Sequence, residues 1–529
     1  MKKFLFILLI ANICLFAQSE QKSVELPDFV ILGRQRIDVP TISKNKPELV
    51  GIVSEDFLLP KYSPEELPLL ISNFPKPVIP VIDDLDNSFF GNVNFGLGRY
   101  TYPLGELNLN KMLNYYLLHV KVWGTNIKEY IPFAGYNVSG ISIDNNFFVS
   151  TNSNLLPGSE IKLNGIYTRD SYHFFGSNSP DSIRNTGKSS FNFSFTNNYN
   201  KWVNAGINLK ANFLNIRENN FKEKLLFGSG YFESRIQRFL IGGNFIYQKQ
   251  ILTNNLSGID SYNNYLVEGY SKINALKNII LKLGVSYSST DNDNFISPFA
   301  SANIKINNEL AFNVEFNPHS EFLTISNFLE RNLYITTNDS LDNVFMKVPI
   351  DLNASLKYEY KNQMILKIWS AYKSIKNYPY FEDNKQKGFF NVYTQDNIQS
   401  YELGTDILLN SSIYGFIDAT FRLSSIKNED NKYIPYKPLY NFNITYGYNF
   451  PINIGINIKY NFMKHYYADL NNSKLIPDYH NLSFGINYNI SNLSFKADFH
   501  NILNRSNFVF DGYQEKLFDI ILGVEYRWQ

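Results

Sequence analysis

Apolar and polar positions alternate through the last fifty residues of the chain. Across 481–490, Leu482, Phe484, Ile486, Tyr488 and Ile490 share one side, and Ser483, Gly485, Asn487 and Asn489 share the other. Beyond Ser491 and Asn492, Leu493, Phe495, Ala497 and Phe499 alternate with Ser494, Lys496, Asp498 and His500. The final run sets Phe518, Ile520, Leu522, Val524, Tyr526 and Trp528 against Asp519, Ile521, Gly523, Glu525 and Arg527. Side chains of a strand point to opposite faces with period two, so these runs predict strands with one greasy and one polar face. Each is about ten residues long, the length with which a tilted strand crosses a bilayer.

The same alternation predicts strands over most of the chain from Phe89 onward. They fall at 89–98, 103–111, 114–124, 136–150, 159–172, 188–199, 203–214, 223–233, 236–248, 262–274, 278–289, 294–305 and 309–316. After a long connection at 318–343 they resume at 349–360, 363–375, 386–394, 397–409, 412–424, 439–449, 451–465, 480–490, 491–501 and 518–528. A soluble β-sandwich also uses two-faced strands. A sandwich of this length needs several cores joined by visible linkers, and the faces here are heavy in Phe and Tyr. The fold class expected is therefore all-β, a transmembrane antiparallel β-barrel. These runs number one too many for a barrel with both ends on the same side, which needs an even count, so about 22 strands are expected, within a range of about 18 to 24. The turns at Phe450-Pro451 and Ser491-Asn492 are minimal, whereas 425–438, 466–479 and 502–517 are long and polar. Short turns are periplasmic and long loops extracellular in such barrels, which places Gln529 in the periplasm. The long loops carry Lys427, Glu429, Asp430, Lys432, Asp469, Lys474 and Asp478, a surface of mixed charge.

Composition supports this reading. Aromatic residues make up 16% of the chain, with 44 Phe and 37 Tyr, and barrels use them as girdles at both interfaces. Net charge is +1, which gives no footprint for nucleic acid. Lys2 and Lys3 followed by the apolar run Phe4 to Phe16 read as a secretory signal over 1–18, with cleavage near Ala17 or Gln18. Cys14, the single cysteine, lies inside it, and Ile13 before it is a poor fit to a lipoprotein site. The mature chain is thus expected to have no disulfide and no thiolate metal site. With no other long apolar run, the chain is expected in the outer membrane of a Gram-negative-type bacterium, surrounded by outer-membrane lipid.

Residues 19–86 form a Pro-rich periplasmic extension ahead of a barrel at 87–529. Nine of the 21 prolines fall there: Pro27, Pro40, Pro47, Pro60, Pro64, Pro68, Pro75, Pro77 and Pro80. That density opposes helices and ladders and favours extended chain. Within it, Glu25 to Gly33 is a short β-branched and aromatic run. It suits pairing with another protein's sheet edge, docking on this chain's own barrel mouth, or plain linker.

Chemistry-bearing residues are sparse. His119, His173, His319, His465, His480 and His500 form no close pair with metal-ligand spacing. His500 shares a strand face with Asp498, a relation common between solvated neighbours. No catalytic, metal or cofactor site is expected, and no enzyme. Asp498, Asp519 and Glu525 stand on the polar face near Lys496 and Arg527, which points first to salt-bridge pairing in the lumen and second to a solute path.

The chain from about residue 90 onward, and more closely over 400–529, resembles the barrel of TonB-dependent outer-membrane receptors. The residues that carry this are Asp498-Phe499-His500-Asn501-Ile502-Leu503-Asn504-Arg505, then Asp511-Gly512-Tyr513, and the closing strand to Trp528. Ser400-Tyr401-Glu402-Leu403-Gly404 and Ile434-Pro435-Tyr436-Lys437-Pro438 add to it. The resemblance implies solute uptake across the outer membrane. It implies a membrane-interface and assembly role for Tyr526 and Trp528, with the barrel-assembly machinery as partner. It also makes Asp28, Phe29, Val30 and Ile31 a TonB-box-like contact for TonB. The family's plug domain is expected to be absent, since only about 70 Pro-rich residues precede the barrel, which opens a place for a separate plug or periplasmic protein. A structural barrel anchoring a periplasmic arm to a partner, and a passive porin, remain alternatives.

Overall fold

Alternation over this many runs produces one antiparallel sheet that closes on itself. The computed structural model describes residues 88–528 apart from 114, 201, 254–260, 338–342, 362, 384–386 and 412. The signal-like segment and the Pro-rich segment, with Asp28, Phe29, Val30 and Ile31, lie outside the described residues. Each barrel strand pairs with its sequence neighbours, and the first, Ser88–Gly98, pairs with the last, Asp519–Trp528. The closing register runs from Gly91 opposite Trp528 to Gly98 opposite Ile521. The barrel has 22 strands. Leu310–Phe316 and His319–Leu323 are two parts of one of them, because both pair with Val344–Tyr360, the first at 352–358 and the second at 344–348.

Two sequence expectations are corrected. The run 386–394 is not a barrel strand. Phe390–Gln395 pairs with Tyr378–Asp383 as a separate hairpin. A local hairpin and a membrane strand share the period of two, so alternation alone does not separate them. Removing this run brings the predicted series to an even count. The connection 318–343 also has more structure than its weak alternation conveyed. It opens with the strand end His319–Leu323 and continues as a helix, Ile325–Arg331. Ile325, Phe328 and Leu329 of that helix are fully buried, at the three-and-four spacing of one helical face.

The two faces of the wall match the predicted division. Leu522, Val524, Phe495 and Ile486 are exposed on the outer face, and Phe484 and Ile520 are half-exposed there. Ile207, Leu209 and Phe213 do the same on another strand, alternating with Asn208, Lys210 and Asn212. On the inner face, Trp369 lies across Gly404 and Trp123 across Gly140, where a Cβ would stand 2.2 Å and 2.3 Å from the ring carbons. Glu525 is buried on this face. It accepts from Arg527 Nε at 2.7 Å and Asn92 Nδ2 at 2.9 Å, and pairs with Lys496 Nζ at 2.5 Å. The expected salt-bridge role of the lumen carboxylates thus holds for Glu525. Asp498 shares the face beside Lys496.

The outer face gives a direct expectation. Arg in place of Leu522, near the middle of its strand, should cost roughly 2–4 kcal/mol of folding free energy. Arg at the inward Gly523 should cost clearly less. The folded fraction on heat-modifiability gels measures both, and equal tolerance at the two positions would contradict the assignment of faces.

The strand connections differ at the two ends. One end has short turns, such as the two-residue turn Ser491-Asn492 with Ser491 at φ +52°. The other end has the long connections 324–343, 377–397, 428–439, 465–478 and 501–518. The fully buried large side chains gather at this second end: Phe328, Ile335, Phe390, Ile434, Tyr466, Ile476 and Phe510.

Candidate functional site: a cap at the long-loop end

The long loops pack against one another across the barrel mouth. The loop 174–182 brings in Phe174 and Phe175, 324–343 brings Tyr334, 377–397 brings Phe389 and Phe390, 428–439 brings Tyr436, and 501–518 brings Phe510 and Tyr513. Tyr334 and Tyr513 stack at 3.5 Å between centroids, and Phe174 and Phe389 at 4.7 Å. Phe175 meets Tyr513 edge-on at 5.0 Å, and Phe510 lies 5.3 Å from Phe390 and 5.0 Å from Tyr436. Aromatic pairs at such distances add to the gain from burying the rings, which is the main attraction between the loops.

Hydrogen bonds fix the register of this cluster. The Tyr513 hydroxyl donates to Gly388 O at 2.6 Å, Tyr172 to Leu333 O at 2.7 Å and Tyr130 to Gln514 O at 2.8 Å. Arg184 donates from Nη1 to Ile335 O at 2.6 Å, with its guanidinium over the Phe174 ring. Phe390 N donates to Tyr334 O at 3.1 Å and Thr336 N to Phe390 O at 2.7 Å, so two loops join by a parallel bridge. Tyr466 donates to Phe508 O at 3.0 Å.

Three glycines stand where the backbones touch. A Cβ on Gly176 would lie 2.7 Å from the backbone of Gly512, and one on Gly512 2.5 Å from Gly176 O. A Cβ on Gly388 would lie 2.5 Å from Ser177 Cα. Gly388 and Gly512 also have φ +81° and +82°, which disfavour residues with a Cβ.

The cap is tied to the wall by a carboxylate at a helix start. Glu223, on the inner face of Phe221–Ile236, accepts from Ile325 N at 3.1 Å and Ser326 N at 2.9 Å. Gln250 and the Ser326 hydroxyl donate to the same carboxylate. Free N–H groups at a helix N-terminus are satisfied in this way. A second tie lies at the closing seam. Asp519 accepts from Tyr100 N at 3.0 Å, Thr101 Oγ1 at 2.9 Å and Lys516 Nζ at 3.0 Å.

Beside this seam sits a titratable group, Glu515. The Tyr479 hydroxyl donates to it at 2.8 Å, Lys516 is its chain neighbour, and Tyr130 and Tyr466 lie close enough to feel its charge. Burial pushes the Glu515 carboxyl up to about 7. A carboxyl raised in the packed state favours that state when protonated, so the cap should loosen as pH rises from the ordinary carboxylate range through about 7. Protease cutting within 501–518 should increase between pH 5.5 and 8. In Glu515→Gln the profile should be flat, and an unchanged slope in that variant would remove Glu515 from the account.

The residues singled out in the sequence fall as follows. Tyr436 and Tyr513, part of the family resemblance, enter the cap. Tyr526 and Trp528 lie on the outer face at the short-turn end, their rings 6.1 Å apart, with Phe89 6.5 Å from Trp528. The histidines are dispersed: His119 pairs with Asp144 at 3.3 Å, and His480 meets Tyr460 at 2.9 Å. Among the described residues no group of three His, Cys, Asp or Glu side chains is placed to hold a metal ion. Inward-folded extracellular loops are one way to fill such a barrel, but the sequence did not mark which residues form the cap. Its trace was two aromatic pairs and one tyrosine, each next to a glycine, in loops: Phe174-Phe175-Gly176, Gly388-Phe389-Phe390 and Gly512-Tyr513.

A large closed barrel is also the fold of the solved structures this chain is similar to. The FrpB iron transporter from Neisseria meningitidis superposes with TM-score 0.66 at 10% identity, over 84% of this chain and 82% of that one. The fold is that of a TonB-dependent receptor barrel. The ferric-catecholate import receptor Fiu from E. coli K12 gives 0.61 at 10% identity, over 84% and 82%. The siderophore receptor PiuA from Acinetobacter baumannii gives 0.62 at 10%, over 83% and 81%. By name these proteins are a transporter and receptors. No family model and no curated protein matches the sequence.

Proposed function

We propose that this chain is an outer-membrane transport barrel of receptor type, gated at its extracellular mouth by the aromatic cap. One observation carries the reading. The loop 174–182 joins the fifth and sixth strands, and 377–397 joins the fifteenth and sixteenth, so Phe174 and Phe389 stack from opposite sides of a ring of 22. With strands spaced about 4.8 Å apart and tilted, such a ring is on the order of 40 Å across. Loops that meet over an opening of that width close it, and a closed opening is useful to a transporter that admits one solute.

The long-loop end is then extracellular and the short turns periplasmic. The leading segment 1–18 acts as a signal and is removed, and 19–86 lies in the periplasm. Solved structures with this fold include iron and siderophore receptors, so a metal chelate of siderophore size is the solute class we take. Asp28 to Ile31 is the candidate contact for TonB, and Tyr526 with Trp528 anchor the periplasmic interface.

Liposome swelling with a graded series of sugars tests the reading. The intact protein should admit none larger than the smallest, and a variant with 377–397 shortened to a Gly-Ser turn should admit large ones. A barrel that serves only as an anchor gives no swelling in either form, and a passive porin swells equally in both.

A further inference from the structure

We propose that residues 78–82 of this chain, Val78-Ile79-Pro80-Val81-Ile82, dock on an apolar patch of the inner barrel wall at the short-turn mouth. The patch is made by Phe90, Met112, Leu117 and Phe148, from the first four strands. Phe90 shares its face with Asn92, which bonds the buried Glu525, and Met112 shares its face with Asn108, which bonds Asn92. Leu117 lies on the face of His119, and Phe148 on the face of Asp144, which pairs with it. All four therefore point inward, away from the lipid face that carries Phe89, Val93 and Phe95. Register places Met112 opposite Leu117, Phe90 opposite Asn110 next along from Met112, and Leu117 opposite Asn146 next to Phe148. Phe90 is 37% and Phe148 38% exposed, large apolar rings open on a wall otherwise set with Asn, His and Lys.

The occupant follows from where the chain joins the wall. Ser88 begins the first strand at this same mouth, two residues before Phe90. From Ile82 to Ser88 is six residues, a reach of about 20 Å when extended. The four strands of the patch span about 15 Å. Val78 to Ile82 is the β-branched stretch of the Pro-rich segment nearest to the barrel, and a tether this short holds it at roughly millimolar local concentration. Pro77 and Pro80 restrict the backbone before docking and so lower the entropy lost on ordering. They also lack N–H donors, and the closed wall has no free strand edge, so the contact is made by side chains.

The test is maleimide labelling of Val81→Cys in a Cys14→Ser background, on folded protein in detergent. Labelling should be at least tenfold slower than in urea. Phe90→Ser with Phe148→Ser should restore fast labelling while the barrel stays heat-modifiable, and Phe90→Leu with Phe148→Leu should keep the protection. Labelling of folded Val81→Cys as fast as in urea would overturn the proposal. So would protection that survives the Ser substitutions, or that disappears on dilution, which would mark another surface or a second copy as the site. No transport is measured, so failure here leaves the gated-barrel reading standing.

Discussion

Deleting Tyr526 to Gln529 should abolish assembly of the barrel while leaving export intact. The last strand pairs with Ser88–Gly98 on one side and Leu493–His500 on the other, and so closes the sheet. The deletion removes the pairing of Gly91 with Trp528, Asn92 with Arg527 and Val93 with Tyr526, and on the other side that of Leu493 with Tyr526. It also takes Arg527 from Glu525, leaving a buried carboxylate with fewer donors, and uncovers Phe89. Unpaired backbone is not tolerated in lipid, so a sheet open over this length has no stable place in the membrane. The truncated chain should show no heat-modifiable band and should collect outside the membrane fraction. Normal surface exposure of 501–518 on intact cells would contradict this.

The second large effect is expected at the glycine junction of the cap. Gly512→Val adds a Cβ 2.5 Å from Gly176 O and forces a branched residue to φ +82°. Backbone strain of this kind costs about 1–3 kcal/mol, and overpacking a tight contact about 1–3 kcal/mol more. The contact joins two loops and not the wall, so the loss falls on cap closure and the barrel remains folded. Cutting by protease in 174–182 and 501–518 should rise at least tenfold, and cells should admit large antibiotics that the wild type excludes. Gly228→Ala, on the outer face with only Leu209 nearby, should leave both unchanged.

The barrel was legible because the membrane imposes one rule on every strand. Ile520, Leu522 and Val524 face out and Asp519 and Glu525 face in, and that rule repeats without regard to distant contacts. The hairpin at 378–395 obeys the same period for a local reason, which is why Phe390 and Val392 read as membrane strand. The cap was not legible, since its cohesion comes from residues such as Tyr334 and Tyr513, close to 180 positions apart, placed together only once the barrel sets the loops in a ring. The helix at Ile325–Arg331 spans less than two turns, and its first N–H groups are satisfied by a wall residue, Glu223, about a hundred positions away. The lumen pairing of Glu525 was readable from Lys496 and Arg527 nearby, whereas Asn92 entered it through closure alone.

Single-channel conductance in planar bilayers tests the gated-barrel account most directly. Wild-type protein should insert and stay closed, and Gly512→Val should open to conductances of a wide pore, at least tenfold larger. Equal, steady conductance from both proteins would contradict a cap that closes the mouth.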